Sequence, residues 1–417
     1  MRSLENKTIA ILIGGHLASA PRVQKEAAAL RKAGAKVSVF GAWSSETLAA
    51  EDLAISKDLD VTFLAAVNYC NNNNFTVRIK QKVSSVLFTR FGIVTPRIFG
   101  SGAPELFRAA RNLRADFTMV HSEAGLWVAK KLLQEGLRVG VDFEDWFSQD
   151  LSDADRKSRP VARMQTLERY LLNNAHCCFA TTQAMAVALA NDAGTISLPT
   201  VIPNCFPSSG RQDAIGRAGD KRPADQVSFY WFSQTIGPGR GLEALARALP
   251  LLHGEWRLAI RGNLRGYGDW FNDNFPKHLR ERIQLLDIVP NDELLACTMS
   301  HDVGLALEIP FCPSRDLTAT NKIFEYLRAG LAVIATNTAG QHEVMMACPE
   351  AGEVVAPDNA VCLAAAMQRI IDKPELLRER KTFSMHAGEV IWAWERYAQS
   401  LTDAVVAGIA KINEPGI

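Results

Sequence analysis

The 417-residue chain sets 46 lysines and arginines against 45 acids, a net charge of +1. That balance excludes a global drive toward nucleic acid and leaves only local basic patches to consider. With 47% apolar and 22% charged residues the composition is that of a globular protein, and the length suits two domains of about 200 residues each. Eight cysteines without C-x-x-C spacing argue for reduced thiols in the cytoplasm and against a zinc site. No run of 18 apolar residues marks a membrane span.

In chain order, Thr8–Ile13 reads as a short buried strand, and Gly14-Gly15 lets backbone approach a ligand where it ends. Ala18-Ser19-Ala20 mimics a signal-peptidase site, but the preceding apolar run is too short, so the segment is read as strand and loop. A helix over Pro21–Ala33 is expected to stop at Gly34, followed by a strand at Lys36–Phe40. Phe75 to Arg97 interleaves Arg78, Lys80, Lys82, Arg90 and Arg97 with apolar residues and holds no acid. This pattern fits either docking on an anionic membrane face or an ordinary helix with its apolar side in the core. Phe117–His121 and Val139–Phe143 read as strands separated by a helix around Leu126–Gln134, Glu168–Leu172 begins the next apolar unit, and His176–Ala180 reads as a strand. The βαβ rhythm predicts a parallel, doubly wound sheet.

Pro203 to Gln226 is rich in Ser, Gly, Arg, Asp and Pro, and reads as a linker. A second alternating set runs through strands at Val227–Phe232, Arg257–Ile260, Ile283–Ile288, Val303–Leu307 and Leu331–Ala335, and a last helix is expected from Glu389 to Lys411. The domains are thus expected over residues 1–205 and 227–388, with 206–226 joining them and 389–417 as a terminal helix.

Two motifs carry chemistry. Gly237-Pro238-Gly239-Arg240-Gly241 follows a strand and opens a helix, but Leu242 stands where a dinucleotide fingerprint needs glycine, which argues against NAD. A helix that starts near Thr320 and ends at Gly330 would place Asn321 and Lys322 in its first turn, where free N–H groups and the positive dipole end suit a phosphate. Glu325, one turn on, could accept hydrogen bonds from a ribose; a plain solvated Lys–Glu pair has the same spacing.

Asn321 to Thr336 resembles the nucleotide-sugar-binding helix of the family 4 retaining glycosyltransferases, with Ala332 where proline is usual. Pro21 to Gly34, Asp116 to His121, Glu168-Arg169, Ile202-Pro203-Asn204 and Trp392 to Glu395 resemble other segments of that family in the same order. The resemblance implies the α/β GT-B architecture: two Rossmann-like domains facing across a cleft, with a C-terminal helix crossing back to the first. It implies a transferase moving a sugar from a nucleotide diphosphate to a hydroxyl acceptor in polysaccharide or glycolipid synthesis, independent of metal and of any cofactor. The nucleotide sugar is then a substrate. Lipid-linked acceptors would bring the chain to the inner membrane face through residues 75–97.

By the same resemblance, Arg240 and Lys322 stabilise the departing diphosphate and Glu123 stands where the family has a histidine near the reacting carbon. Gly14, Gly15, Gly237, Gly239, Asn321 and Glu325 bind the donor, and His121, Asp142 and Glu144 lie on the acceptor side. Leu317 replaces a family glutamate, leaving Glu308 and Asp316 as the nearest acids. Two other readings stay open: a GT-B sugar-nucleotide 2-epimerase, or a partner subunit without turnover.

Overall fold

The computed structural model describes residues 3–70, 75–152, 156–211, 214 and 226–411. It separates into two compact units, one of residues 1–202 and 397–417, the other of residues 203–396. Residues 212–213 and 215–225 of the expected linker lie outside the described residues.

The first unit holds seven parallel strands: β1 (Thr8–Leu12), β2 (Lys36–Trp43), β3 (Thr62–Asn68), β4 (Phe117–Val120), β5 (Val139–Phe143), β6 (Cys177–Ala180) and β7 (Thr200–Val201). Their order is β3-β2-β1-β4-β5-β6-β7, so the chain reverses direction across the sheet between β1 and β4. Helices on both faces cover the middle strands, which therefore read as mainly apolar runs; β4 and β5 are buried at every residue, Thr118 and Asp142 included. The edge strand β3 alternates exposed and buried positions and ends in Ala-Ala-Val-Asn. That weak pattern is why neither it nor the helix Glu46–Asp58 before it was expected from the sequence.

The second unit holds β8 (Val227–Thr235), β9 (Trp256–Asn263), β10 (Ile283–Leu286), β11 (Val303–Ala306), β12 (Ala332–Thr336) and β13 (Gly352–Val355), all parallel. Their order β10-β9-β8-β11-β12-β13 repeats the reversal, here between β8 and β11. The helix Asn321–Ala329 lies close on β11: a Cβ at Gly304 would sit 2.1 Å from the Tyr326 ring, so only glycine permits the approach. Gly330 ends this helix in the left-handed conformation, as its sequence predicts.

The terminal segment departs from expectation. Ala387–Ile391 is a π-helical turn, and the last helix starts at Trp394, not Glu389. Ala393 bridges to Phe206, and the Trp394 N–H donates to the Phe206 carbonyl, which breaks the run. From Tyr397 onward the helix belongs to the first unit, where Leu401 and Val405 are fully buried and Gly408 packs on Phe117.

Candidate functional site

In open parallel sheets, ligands gather outside the carboxyl ends of the strands where the order reverses. Each unit has a charged cluster at that place, and the two differ in kind.

In the first unit, Arg22 in the opening turn of the helix Pro21–Lys32 grips Asp142 of β5 through Nε at 2.7 Å and Nη2 at 3.0 Å. Its Nη1 donates to the Ile202 carbonyl at 2.6 Å, and its Nε lies 3.3 Å from Glu26. Glu26 faces His121 Nε2 at 3.0 Å, and His121 Nδ1 faces Glu144 at 2.5 Å. Arg22, Glu26, His121 and Asp142 are all buried, none more than 5% exposed. Burial pushes the Glu26 carboxyl up to about 7, helped by the Asp142 charge and opposed by His121. Burial alone would push Asp142 up as well, but the Arg22 and His121 charges hold it below the usual carboxylate range. For His121, burial opposes the charge, yet Glu26 and Glu144 raise it well above an ordinary imidazole. Glu26, His121 and Asp142 offer ligand atoms within 4.8 Å of one another, a spacing that suits a metal ion, but the Arg22 guanidinium already supplies the positive charge there.

Asp142, expected on the acceptor side, is instead sealed beneath Arg22. His121 is equally enclosed. Glu144, with a side chain 36% exposed, is the part of this network that reaches the surface.

Beside it opens a cavity of about 360 Å³ formed at the ends of β1 to β5. Gly14, Ser122, Glu123, Asp145 and Asp150 line it, with Phe99 and Phe147 as apolar walls. Among the described residues that line it there is no lysine or arginine. Glu123, expected near the reacting carbon, lies here in an ion pair with Arg159. Gly15 is not in the lining; its carbonyl accepts from the Ala42 N–H at 3.0 Å and so anchors the loop to β2.

In the second unit the loop after β8 passes Gly241, whose φ of 77° and 2.1 Å Cβ-to-Leu307-carbonyl approach both demand glycine. The Gly239 N–H, expected to face a phosphate, donates instead to Glu243 at 2.7 Å. Gly237 is covered by the Tyr267 ring. Arg240 is exposed and donates to Ser233 at 3.0 Å.

The helix Asn321–Ala329 begins at Thr320, whose hydroxyl makes no capping bond to the first turn. It donates to Glu308 at 3.1 Å, and Lys322 Nζ reaches the same carboxylate at 2.5 Å. Although burial favours its neutral form, the Lys322 charge holds Glu308 below the usual carboxylate range. Lys322 also lies over the Trp231 ring at 5.9 Å. The plain Lys–Glu pair is ruled out: Lys322 pairs with Glu308, while Glu325, 2% exposed, lies 3.8 Å from Arg328. Asn321 is exposed at the helix start. Of the two acids near Leu317, Glu308 joins this cluster and Asp316 accepts from the Ala339 N–H. Tyr267 carried no sequence signal, because it meets Gly237 only in the folded unit, thirty residues away along the chain.

Residues 229–373 match the family model described as Glycosyl transferases group 1, a span that holds both the glycine loop and the helix Asn321–Ala329. The fold is shared with sucrose-phosphate synthase from Thermosynechococcus elongatus at a TM-score of 0.69, 16% identity, and coverage of 96% of this chain and 98% of that one. HepE from Anabaena, solved in complex with UDP, gives 0.67 at 13% identity, covering 96% and 99%. A protein from Listeria monocytogenes described as a UDP-N-acetylglucosamine 2-epimerase gives 0.57 at 10% identity, covering 98% of each chain. Among curated proteins no sequence matches. The expected two-sheet GT-B architecture is borne out.

Proposed function

We propose that this chain, a glycosyltransferase by the group 1 domain at residues 229–373, moves a sugar from a nucleoside diphosphate to a hydroxyl acceptor with retention. One observation carries the reading furthest. Thr320 turns its hydroxyl to Glu308 and leaves the first turn of the helix Asn321–Ala329 without a side-chain cap, beside the Lys322 cation. An uncapped N-terminus with a neighbouring lysine is a site for a dianion.

The departing diphosphate gains negative charge as the glycosidic bond breaks. Lys322 then swings between Glu308 and the phosphate, and Arg240 follows from Ser233; preorganised donors of this kind are each worth about 2.7–4 kcal/mol. A leaving phosphate oxygen takes the acceptor proton, so no metal or other cofactor enters. Glu325 accepts from the donor ribose. The acid-lined cavity of the first unit takes the acceptor, its carboxylates receiving hydroxyl hydrogen bonds and its phenylalanines packing on C–H faces. Synthesis of a polysaccharide or glycolipid on a lipid carrier would place the work at a membrane face.

UDP, which the HepE structure holds, is the nucleotide to test first. Calorimetric titration should show binding that Glu325→Gln weakens about ten- to a hundredfold, the worth of hydrogen bonds to a charged group. Incubating UDP-sugars with candidate acceptors should release UDP only when both are present, with the donor anomer kept in the product. Conversion of the sugar at C2 without acceptor would identify an epimerase, and no turnover with any donor a partner subunit.

A further inference from the structure

Five residues of the helix Val161–Asn174 are buried along one stripe, and four of them, Met164, Leu167, Leu171 and Leu172, are apolar. The fifth is Glu168, with no exposed surface. A carboxyl at such a position is costly unless it makes a hydrogen bond that something else needs. Arg169, next in the chain, turns to Asp192 of the helix Gln183–Ala193, and among the described residues no ion pair reaches Glu168. Burial therefore pushes its carboxyl up to about 7, against the bonds that Ser148 gives it and with the Asp192 charge adding to the rise.

What Glu168 holds is one backbone group. Its Oε1 accepts from the Ser148 N–H at 2.9 Å, and Ser148 is itself fully buried. Ser148 is the middle residue of the single turn Phe147–Gln149, and its carbonyl accepts from Arg156 at 3.1 Å. The turn is thus fixed from behind at both polar groups of one residue. Its front is the cavity of the first unit: Phe147 and Asp150, on either side of Ser148, line it together with Asp145.

We propose that Glu168 is a positioning residue of this cavity. By holding Ser148 from behind, it sets where Phe147 and Asp150 stand in the wall, and so how an acceptor sugar lies against them. This role rests on the reading that the cavity takes the acceptor. A residue that only packed the helix would serve better as leucine, which continues the apolar stripe. A positioning residue would not, because leucine leaves the Ser148 N–H buried without an acceptor. Glutamine keeps that acceptor in the same shape.

Hydrogen exchange in the full chain reads the wall directly. In E168L, exchange at residues 146–150 should rise about tenfold, the cost of orphaning one buried N–H, with the helix Val161–Asn174 unchanged and E168Q like wild type. Saturation-transfer NMR with methyl gluco-, galacto- and mannopyranosides reads the consequence. E168L should bind them about tenfold more weakly than wild type or E168Q, at unchanged UDP affinity. Wild-type exchange at 146–150 in E168L would overturn the proposal. So would faster exchange along the whole helix, which would make Glu168 a packing residue. Phe147→Ala, a change in the wall itself, separates this role from the reading beneath it. If F147A weakens glycoside binding and E168L does not, the cavity takes the sugar but Glu168 does not position it. If F147A leaves binding unchanged, or wild type binds none of the glycosides, the acceptor reading of the cavity fails, and this role with it.

Discussion

The charged clusters of the two units stand at equivalent places, each where a parallel sheet reverses its strand order, yet they are built to opposite ends. In the first unit Arg22, Glu26, His121 and Asp142 are closed off from water and pair with one another, so their charges tie β5 and the end of β4 to the first helix. In the second, Arg240 is exposed and Lys322 and Glu308 keep side chains 14% and 17% exposed. Solvent contact there lets a ligand exchange places with the existing partner. Similar residue types thus become scaffold or site according to whether water, and hence a competing anion, can reach them.

The largest expected effect tests the sealed cluster. Asp142→Ala leaves the Arg22 guanidinium buried without its bidentate partner and should cost about 3–5 kcal/mol, seen as a fall in Tm of roughly 10 °C. A drop below about 2 °C would mean that the network is as replaceable as a surface ion pair.

Next comes the open cluster. Lys322→Ala should weaken UDP binding about ten- to a hundredfold while Tm moves little, because water can reach the Glu308 it leaves behind. The contrast sharpens if Asp142→Ala lowers Tm alone and Lys322→Ala lowers affinity alone; a variant that moves both quantities together would break it.

The sealed cluster also predicts a pH dependence. Glu26 titrates near 7 in the folded chain and at the ordinary carboxylate value unfolded, so its contribution to stability is lost as pH rises between about 4.5 and 7. His121, raised, loses its contribution on the alkaline side, and Asp142, lowered, loses its own only in acid. Wild-type Tm should therefore decline from weakly acid pH toward neutrality. Glu26→Gln should flatten the part of that decline below pH 7, an effect on the order of 1–2 kcal/mol. Calorimetric scans at pH 5, 6, 7 and 8 measure it, and parallel curves for the two proteins would count against a buried, titrating Glu26.

The smallest effect separates the glycine loop from both clusters. Glu243→Ala frees the Gly239 N–H that Glu243 now accepts from, and should tighten UDP binding by roughly threefold, the worth of one modest hydrogen bond. Unchanged affinity would mean that this N–H never faces the phosphates.

Much of this protein was determined by local sequence. Mainly apolar runs marked β1, β4, β5, β11 and β12, because strands covered on both faces are buried along their length. Gly330 marked the end of the helix Asn321–Ala329, and Lys322 its first turn, because caps and dipoles act within a few residues. Pairing was another matter. Which acid meets Lys322 depended on β11 delivering Glu308, fourteen residues earlier in the chain, to the helix start. Arg22 met Asp142 across 120 residues, and that contact turned an expected acceptor-side acid into buried scaffold. The exposed stripe of Ile79, Val83 and Val86 on the helix Phe75–Phe91 had the same periodicity as a core-facing one, so only the packed unit decided which side met water. Local signals specify an element and its charge; burial, which sets what that charge can do, is a property of the neighbours that folding assembles.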